Sequence, residues 1–114
     1  MDELTTLLPD VVLQLETAFS KNSDFVDQLR TARVIRVTYD PEVDAGYIYV
    51  RTGRDLNVVE QNVIGVKHGH TMDVPGELWM NIDLDNFERL TGIEILSSTS
   101  ELAVRLSELS EQYR

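Results

Sequence analysis

The chain has 114 residues, 42% of them apolar, which is enough for one core but not two, and it has no cysteine, which excludes disulfides, thiolate metal sites and thiol nucleophiles. Twenty acidic against ten basic residues set the net charge at −10, so the molecule repels nucleic-acid phosphates and anionic lipid head groups, and neither nucleic acid nor membrane is expected as a partner. The longest apolar runs fall far short of the roughly 18 residues that a membrane span needs, and Met1-Asp2-Glu3-Leu4 carries no cationic leader, so a cytoplasmic protein is expected.

Residues 1–32 read as a helical segment. Leu4, Leu8, Val11 or Val12, Leu15 and Phe19 recur at steps of four and three, one stripe of a helix that needs a surface to lie against. Proline is tolerated only in a first turn, so either a helix begins near Pro9 or an early turn is kinked there. Residues 20–23 form a break, with Ser23 as N-cap of a second short helix running through Leu29.

At Arg33 the period changes to alternation. Ile35, Val37 and Tyr39 share one strand face and Arg36 and Thr38 the other, and residues 40–46 have turn composition. Residues 47–51 return as the partner strand, residues 52–55 turn again, and residues 58–66, valine-rich but broken by Gly65, form a third strand or two short ones. Residues 67–76 read as a loop by their glycines and Pro75. Leu78, Met80, Ile82 and Leu84 then alternate against Trp79, Asn81 and Asp83.

The partner of that strand is the segment 90–96. A loop over residues 85–88 that pairs Leu84 with Arg89 also pairs Ile82 with Thr91, Met80 with Ile93 and Leu78 with Ile95, giving one oily face. The other face then carries Trp79 opposite Glu94, Asn81 opposite Gly92 and Asp83 opposite Leu90. Ser98-Thr99-Ser100-Glu101 has capping-box spacing, and Leu102, Leu106, Leu109 and Tyr113 continue as an amphipathic C-terminal helix. The expectation is a single α+β domain: helical segment 1–32, an antiparallel sheet of about five strands in hairpins over 33–97, and a helix over 98–114, with the helices on one sheet face.

Tyr39-Asp40-Pro41-Glu42-Val43-Asp44-Ala45-Gly46-Tyr47-Ile48, followed by Asp83-Leu84-Asp85 and Gly92-Ile93-Glu94-Ile95-Leu96, resembles the small bacterial and phage family catalogued as domain of unknown function 2283, over about residues 34–98. The resemblance implies a fold and no reaction. It also implies, through relatives thought to be encoded beside small toxin-like proteins, a binding role of the antitoxin or immunity type. Two positions depart from the family pattern. Gly46 replaces a usual apolar residue, which weakens packing on one face of the second strand, and Asn86-Phe87-Glu88 replaces a glycine-containing turn, which suggests a wider loop.

Three groups of residues invite chemistry. His68 and His70, with Asp73, offer two imidazoles and a carboxylate to a divalent metal if they converge, against the plain reading of a mobile solvated loop. Asp40, Glu42 and Asp44 form an acidic turn too short for a calcium loop and suited to bonding backbone amides. Trp79, Asp83, Gly92 and Glu94 share one sheet face, where the missing side chain of Gly92 makes a notch lined by an indole and rimmed by carboxylates. That face is either an interface anchored by Trp79 or is covered by a helix with Trp79 in the core.

Arg30, Arg33, Arg36, Arg51 and Arg54, the only basic grouping, read as surface ion-pair partners. No nucleophile, phosphate loop or dinucleotide fingerprint is present, and no cofactor is expected. Apolar side chains on both sheet faces call for a second cover, a partner protein or a second copy, which makes a non-catalytic binding module the leading reading. The alternatives are a small metal-dependent enzyme using His68, His70 and Asp73, or an acidic decoy for a basic nucleic-acid-binding partner.

Overall fold

The computed structural model describes residues 2–52, 67–96 and 98–114. Helices α1 (Leu4–Leu7), α2 (Pro9–Ala18) and α3 (Ser23–Thr31) precede strands β1 (Arg33–Asp40), β2 (Ala45–Arg51), β3 (His68–Val74), β4 (Trp79–Asp85) and β5 (Leu90–Leu96), and helix α4 (Ser100–Gln112) follows. The five strands form one antiparallel sheet in the order β1-β2-β5-β4-β3, so the chain is α+β with β5 at the centre. The strand expected over 58–66 and most of the turn expected over 52–55 lie outside the described residues.

Pro9 stands in the first turn of α2, where its missing N–H costs no helical bond, and Leu8, with φ −136° and ψ 63°, separates α1 from α2. The stripe of leucines and valines therefore spans two helices rather than one kinked helix. Helix α3 is capped one residue earlier than its sequence suggests: Asn22 Oδ1 accepts from Phe25 N at 3.1 Å. Helix α4 is capped by Thr99, whose hydroxyl accepts from Leu102 N at 3.2 Å, and not by Ser98.

Leu4, Val11, Leu15 and Leu29 from the first helices meet Val34, Ile48, Ile82, Ile93 and Ile95 of the sheet and Leu106 and Leu109 of α4 in one core, each at 0–1% exposure. Gly46 lies on this face, and a Cβ there would stand 3.1 Å from Leu106 Cδ1. The glycine thus tightens packing by letting α4 settle on the sheet, where its sequence suggested a weakened strand. The outer edge of β1 is covered by the chain's own ends: Val34 N donates to Asp2 O at 3.0 Å and Val37 N to Tyr113 O at 3.1 Å.

Two sequence expectations are corrected. Residues 67–76, read as a loop, contain the edge strand β3. Its polar run His68-Gly69-His70-Thr71 hides the alternation, because only Met72 and Val74 supply apolar side chains to the helix-covered face. The β4–β5 register also lies two residues away from the expected one, with Ile82 opposite Ile93, Met80 opposite Ile95 and Asp83 opposite Gly92. Two residues is the side-chain period, so the side chains from Met80 to Asp83 and from Gly92 to Ile95 keep their expected faces, but the shift at Asp83/Leu84 brings Leu90, expected opposite Asp83, onto the core face opposite Leu84 at 1% exposure.

The reason for the shifted register is the turn. Asp85, at 2% exposure, accepts from Phe87 N (2.8 Å), Arg89 N (3.0 Å) and Arg89 Nε (2.8 Å), while Glu88 takes the left-handed φ of 61° that a glycine would otherwise supply. The turn is thereby wider, and a bulge follows at Asp83/Leu84. Gln28 of α3 fastens it to the helices: its Nε2 donates to Glu88 O at 3.0 Å and its Oε1 accepts from Leu90 N at 2.9 Å. Gln14 of α2 does the same for the β3–β4 turn through Leu78 N (3.0 Å) and Leu78 O (2.9 Å).

Candidate functional site

Side chains on the sheet face away from the helices fall into three rows across the strands. One row runs Arg36, Tyr49, Gly92, Asp83, Thr71; the next runs Thr38, Tyr47, Glu94, Asn81, Asp73; the third runs Ala45, Leu96, Trp79. No described helix covers this face. Trp79 is 70% exposed, Tyr49 37% and Leu96 36%. Trp79 is therefore not a core residue, and the reading of this face as covered by a helix does not hold among the described residues.

Of the four residues singled out from the sequence, Asp83 and Gly92 are direct neighbours, Glu94 stands one row on opposite Asn81, and Trp79 stands a further row away opposite Leu96. The expected indole-lined notch does not form. Gly92 is filled from within the sheet: a Cβ there would stand 1.9 Å from Tyr47 Oη, because the Tyr47 phenol lies across the glycine and donates to the Asp83 carboxylate. Thr71 Oγ1 donates to the other oxygen of that carboxylate, and Asn81 Nδ2 donates to Glu94 Oε1 at 3.1 Å. Burial first, then the bond to Asp83 and the Asp83 charge, push the Tyr47 phenol well above the usual tyrosine range. Tyr47 and Tyr49 rings meet at 4.5 Å with planes at 54°, and the Arg36 guanidinium lies 5.6 Å over Tyr49.

The sequence faces Arg36 away from Val37, and Tyr47 and Tyr49 away from Ile48 and Val50, but does not join these residues, Arg51 and Leu96 to Trp79 and Asp83 on one face. The signal was present in the alternation of Tyr47, Tyr49 and Arg51 against the buried Ile48 and Val50.

The metal-ligand candidates do not gather. His70 pairs with Leu84 and places Nε2 3.7 Å from Glu88 Oε2, while Asp73 pairs with Asn81 on the open face. Three residues apart on a strand means opposite faces. A bulge also separates His68 from His70 at Gly69, where a Cβ would stand 2.4 Å from Asp85 O. Among the described residues, no three His, Asp or Glu side chains are placed to hold a metal ion.

The acidic turn is a structural anchor. Asp40 Oδ1 accepts from Glu42 N at 3.0 Å, and Asp44, at φ 48°, accepts from Tyr39 Oη (2.9 Å), Ser98 N (2.9 Å) and Ser98 Oγ (2.7 Å). The Ser98 hydroxyl first, then that of Tyr39, hold the Asp44 carboxyl below its usual range. The β1–β2 turn is thereby tied to the entry of α4. A second concavity, a groove of about 910 Å³ between α2, the β3–β4 turn and the start of α4, has Leu8, Val11 and Leu102 in its walls and Asp10, Glu77 and Glu101 among its lining. Three segments distant in sequence build it, so no local pattern announces it.

The family model described as Protein of unknown function (DUF2283) matches residues 36–98, more than half of the chain, and the chain belongs to that family. No curated protein and no solved structure matches it. The matched stretch holds β2 to β5, β1 from Arg36 onward and both partners of the Asp44–Ser98 anchor, and it carries the open face; helices α1 to α3 and α4 lie outside it. No helix among the described residues is long and apolar enough to cross a membrane.

Proposed function

We propose that this DUF2283 member is a non-catalytic protein-binding module that seats a protein on the open face of its sheet, with Trp79 as the anchor. The observation that carries this reading is the 70% exposure of Trp79 beside Leu96 on a sheet face without a described cover. Tryptophan is the side chain that contributes most often and most strongly at protein contacts, since it buries a large rigid area at little entropic cost. The bonds from Tyr47 and Thr71 to Asp83 and from Asn81 to Glu94 support the reading, because they hold the polar part of the face in one arrangement before a partner arrives. A role of the antitoxin or immunity type, in which a small acidic protein occupies a partner's surface, fits the same face.

Trp79 is the only tryptophan, so its emission reports this face alone. A protein retained by the chain from its source cell, then purified and titrated back, is expected to shift Trp79 emission to the blue and to slow amide exchange in β2, β5 and β4. Trp79→Ala is expected to weaken that binding by about tenfold or more. Unmoved emission at saturation, or unchanged affinity in Trp79→Ala, overturns the proposal.

A further inference from the structure

We infer that the occupant of the open face is a second copy of this chain, laid face to face about a twofold axis that runs along the central strand β5. The inference rests on the reading of this face as a protein-docking surface and names its partner.

The face is electrically two-sided. Arg36 on β1 and Arg51 on β2 are exposed on one half, whereas Asp83 on β4 and Asp73 on β3 lie on the other. The remaining charges on the basic half are spent locally: Arg33 pairs with Glu3 at 3.7 Å, and Asp40 turns back to accept from Glu42 N at 3.0 Å. A twofold axis parallel to the strands exchanges the halves, setting β1 of one copy over β3 of the other and β2 over β4. Arg36 then reaches the Asp73 and Asp83 carboxylates of the second copy, twice over by symmetry. An axis across the strands sets β1 over β1 and each half over its like, which electrostatics opposes.

Shape agrees with charge. Ala45 and Trp79 lie in the same row on β2 and β4, so the exchange sets the largest side chain of each copy over one of the smallest of the other, and Leu96 over Leu96. Five strands about 4.8 Å apart and seven residues rising about 3.4 Å each make a face of roughly 24 by 24 Å. Two copies bury on the order of 1,100 Å², above the roughly 1,000 Å² of a specific contact. One feature opposes closure: Glu94, on β5, meets its counterpart at the axis. Glu94→Gln is therefore expected to tighten the dimer about fivefold or more, an effect that a merely structural role for Glu94 does not produce.

The test is charge exchange followed by analytical ultracentrifugation. The wild-type chain is expected to sediment as a dimer, while Arg36→Glu alone and Asp73→Arg alone each weaken association about tenfold or more. An equimolar mixture of the two variants is expected to restore it, because both symmetry-related contacts are then of opposite sign. A wild-type monomer at a few hundred micromolar, or variants that dimerise as well as the wild type, overturns the inference. If the wild type is monomeric and a different purified protein still shifts Trp79 emission, the second copy is refuted and the docking face stands; if nothing moves Trp79 emission, both fail.

Discussion

Under the helices, Ile48, Ile82, Ile93 and Ile95 lie at 0–1% exposure in rows of apolar side chains, while the opposite face of the same strands carries tyrosines, carboxylates, an asparagine and a tryptophan at 70% exposure. The first face is closed by the chain's own segments and holds by burial, each aliphatic side chain contributing about 1.5–3 kcal/mol. The second is ordered by hydrogen bonds within the sheet and spends almost none of its apolar surface on the monomer. One sheet thus has a face closed within the chain and a face left open, the one proposed for docking, and the family match supplies most of the sheet while the helices that close it lie outside the match.

The widest separation between the faces is expected for Ile93→Ala, which opens a void at the centre of the core. It should cost about 3–4 kcal/mol in denaturant unfolding. Gly92→Ala, one residue away on the other face, comes next. Its Cβ displaces the Tyr47 phenol from Asp83 and is expected to cost about 2 kcal/mol. That cost should shrink markedly in the Tyr47→Ala background, and a cycle showing additive losses would mean that Tyr47 does not occupy the glycine site.

Tyr47→Phe is expected to cost about 1 kcal/mol through the lost bond to Asp83. It carries a pH signature of definite sign. The phenol holds its proton more tightly folded than unfolded, so its contribution is complete below the ordinary tyrosine value of 10.0 and is lost as pH rises beyond it. Wild-type stability should therefore fall more steeply with alkaline pH than that of Tyr47→Phe. Asp44 works in the opposite sense: its carboxyl is held low, so the Ser98 anchor persists above about pH 4 and weakens as pH falls below. The smallest change is expected for Trp79→Ala, within about 0.5 kcal/mol of wild type when unfolding is measured at concentrations dilute enough to leave the chain monomeric, although it weakens association about tenfold or more. A Trp79→Ala variant as unstable as Ile93→Ala would erase the distinction between the faces.

Much of this molecule is legible in its residues. Period-two alternation around Ile82 and Ile93 marks strands and assigns each side chain a face, and the stripe from Leu4 to Leu15 marks helical cover. Strand β3 escapes notice because an edge strand with one solvated face needs only Met72 and Val74 as apolar members. The β4–β5 register escapes because Asp85 takes two backbone amides and an arginine into the turn, which lengthens the loop. Gly92 reads as a notch, but its occupant is Tyr47, forty-five positions earlier in the chain and adjacent only through the β2–β5 pairing. The convergence of His68, His70 and Asp73 fails on parity, a rule the sequence already contained, compounded by a bulge at Gly69 that it did not reveal.

What the sequence by itself determined is the facing of side chains wherever a strand or helix runs unbroken, since that follows from backbone geometry within a few residues; it misplaces Ile35, expected beside Val37 but turned out to 41% exposure by the bulge at Val34/Arg36, and Leu90, turned into the core by the shift at Asp83/Leu84. Only the tertiary structure decided which strands are neighbours, which residues lie across from one another, and which face the helices leave open. Those outcomes depend on turns fastened from afar by Gln28, Gln14 and Ser98, contacts whose partners lie far apart in sequence and whose energies no local pattern encodes.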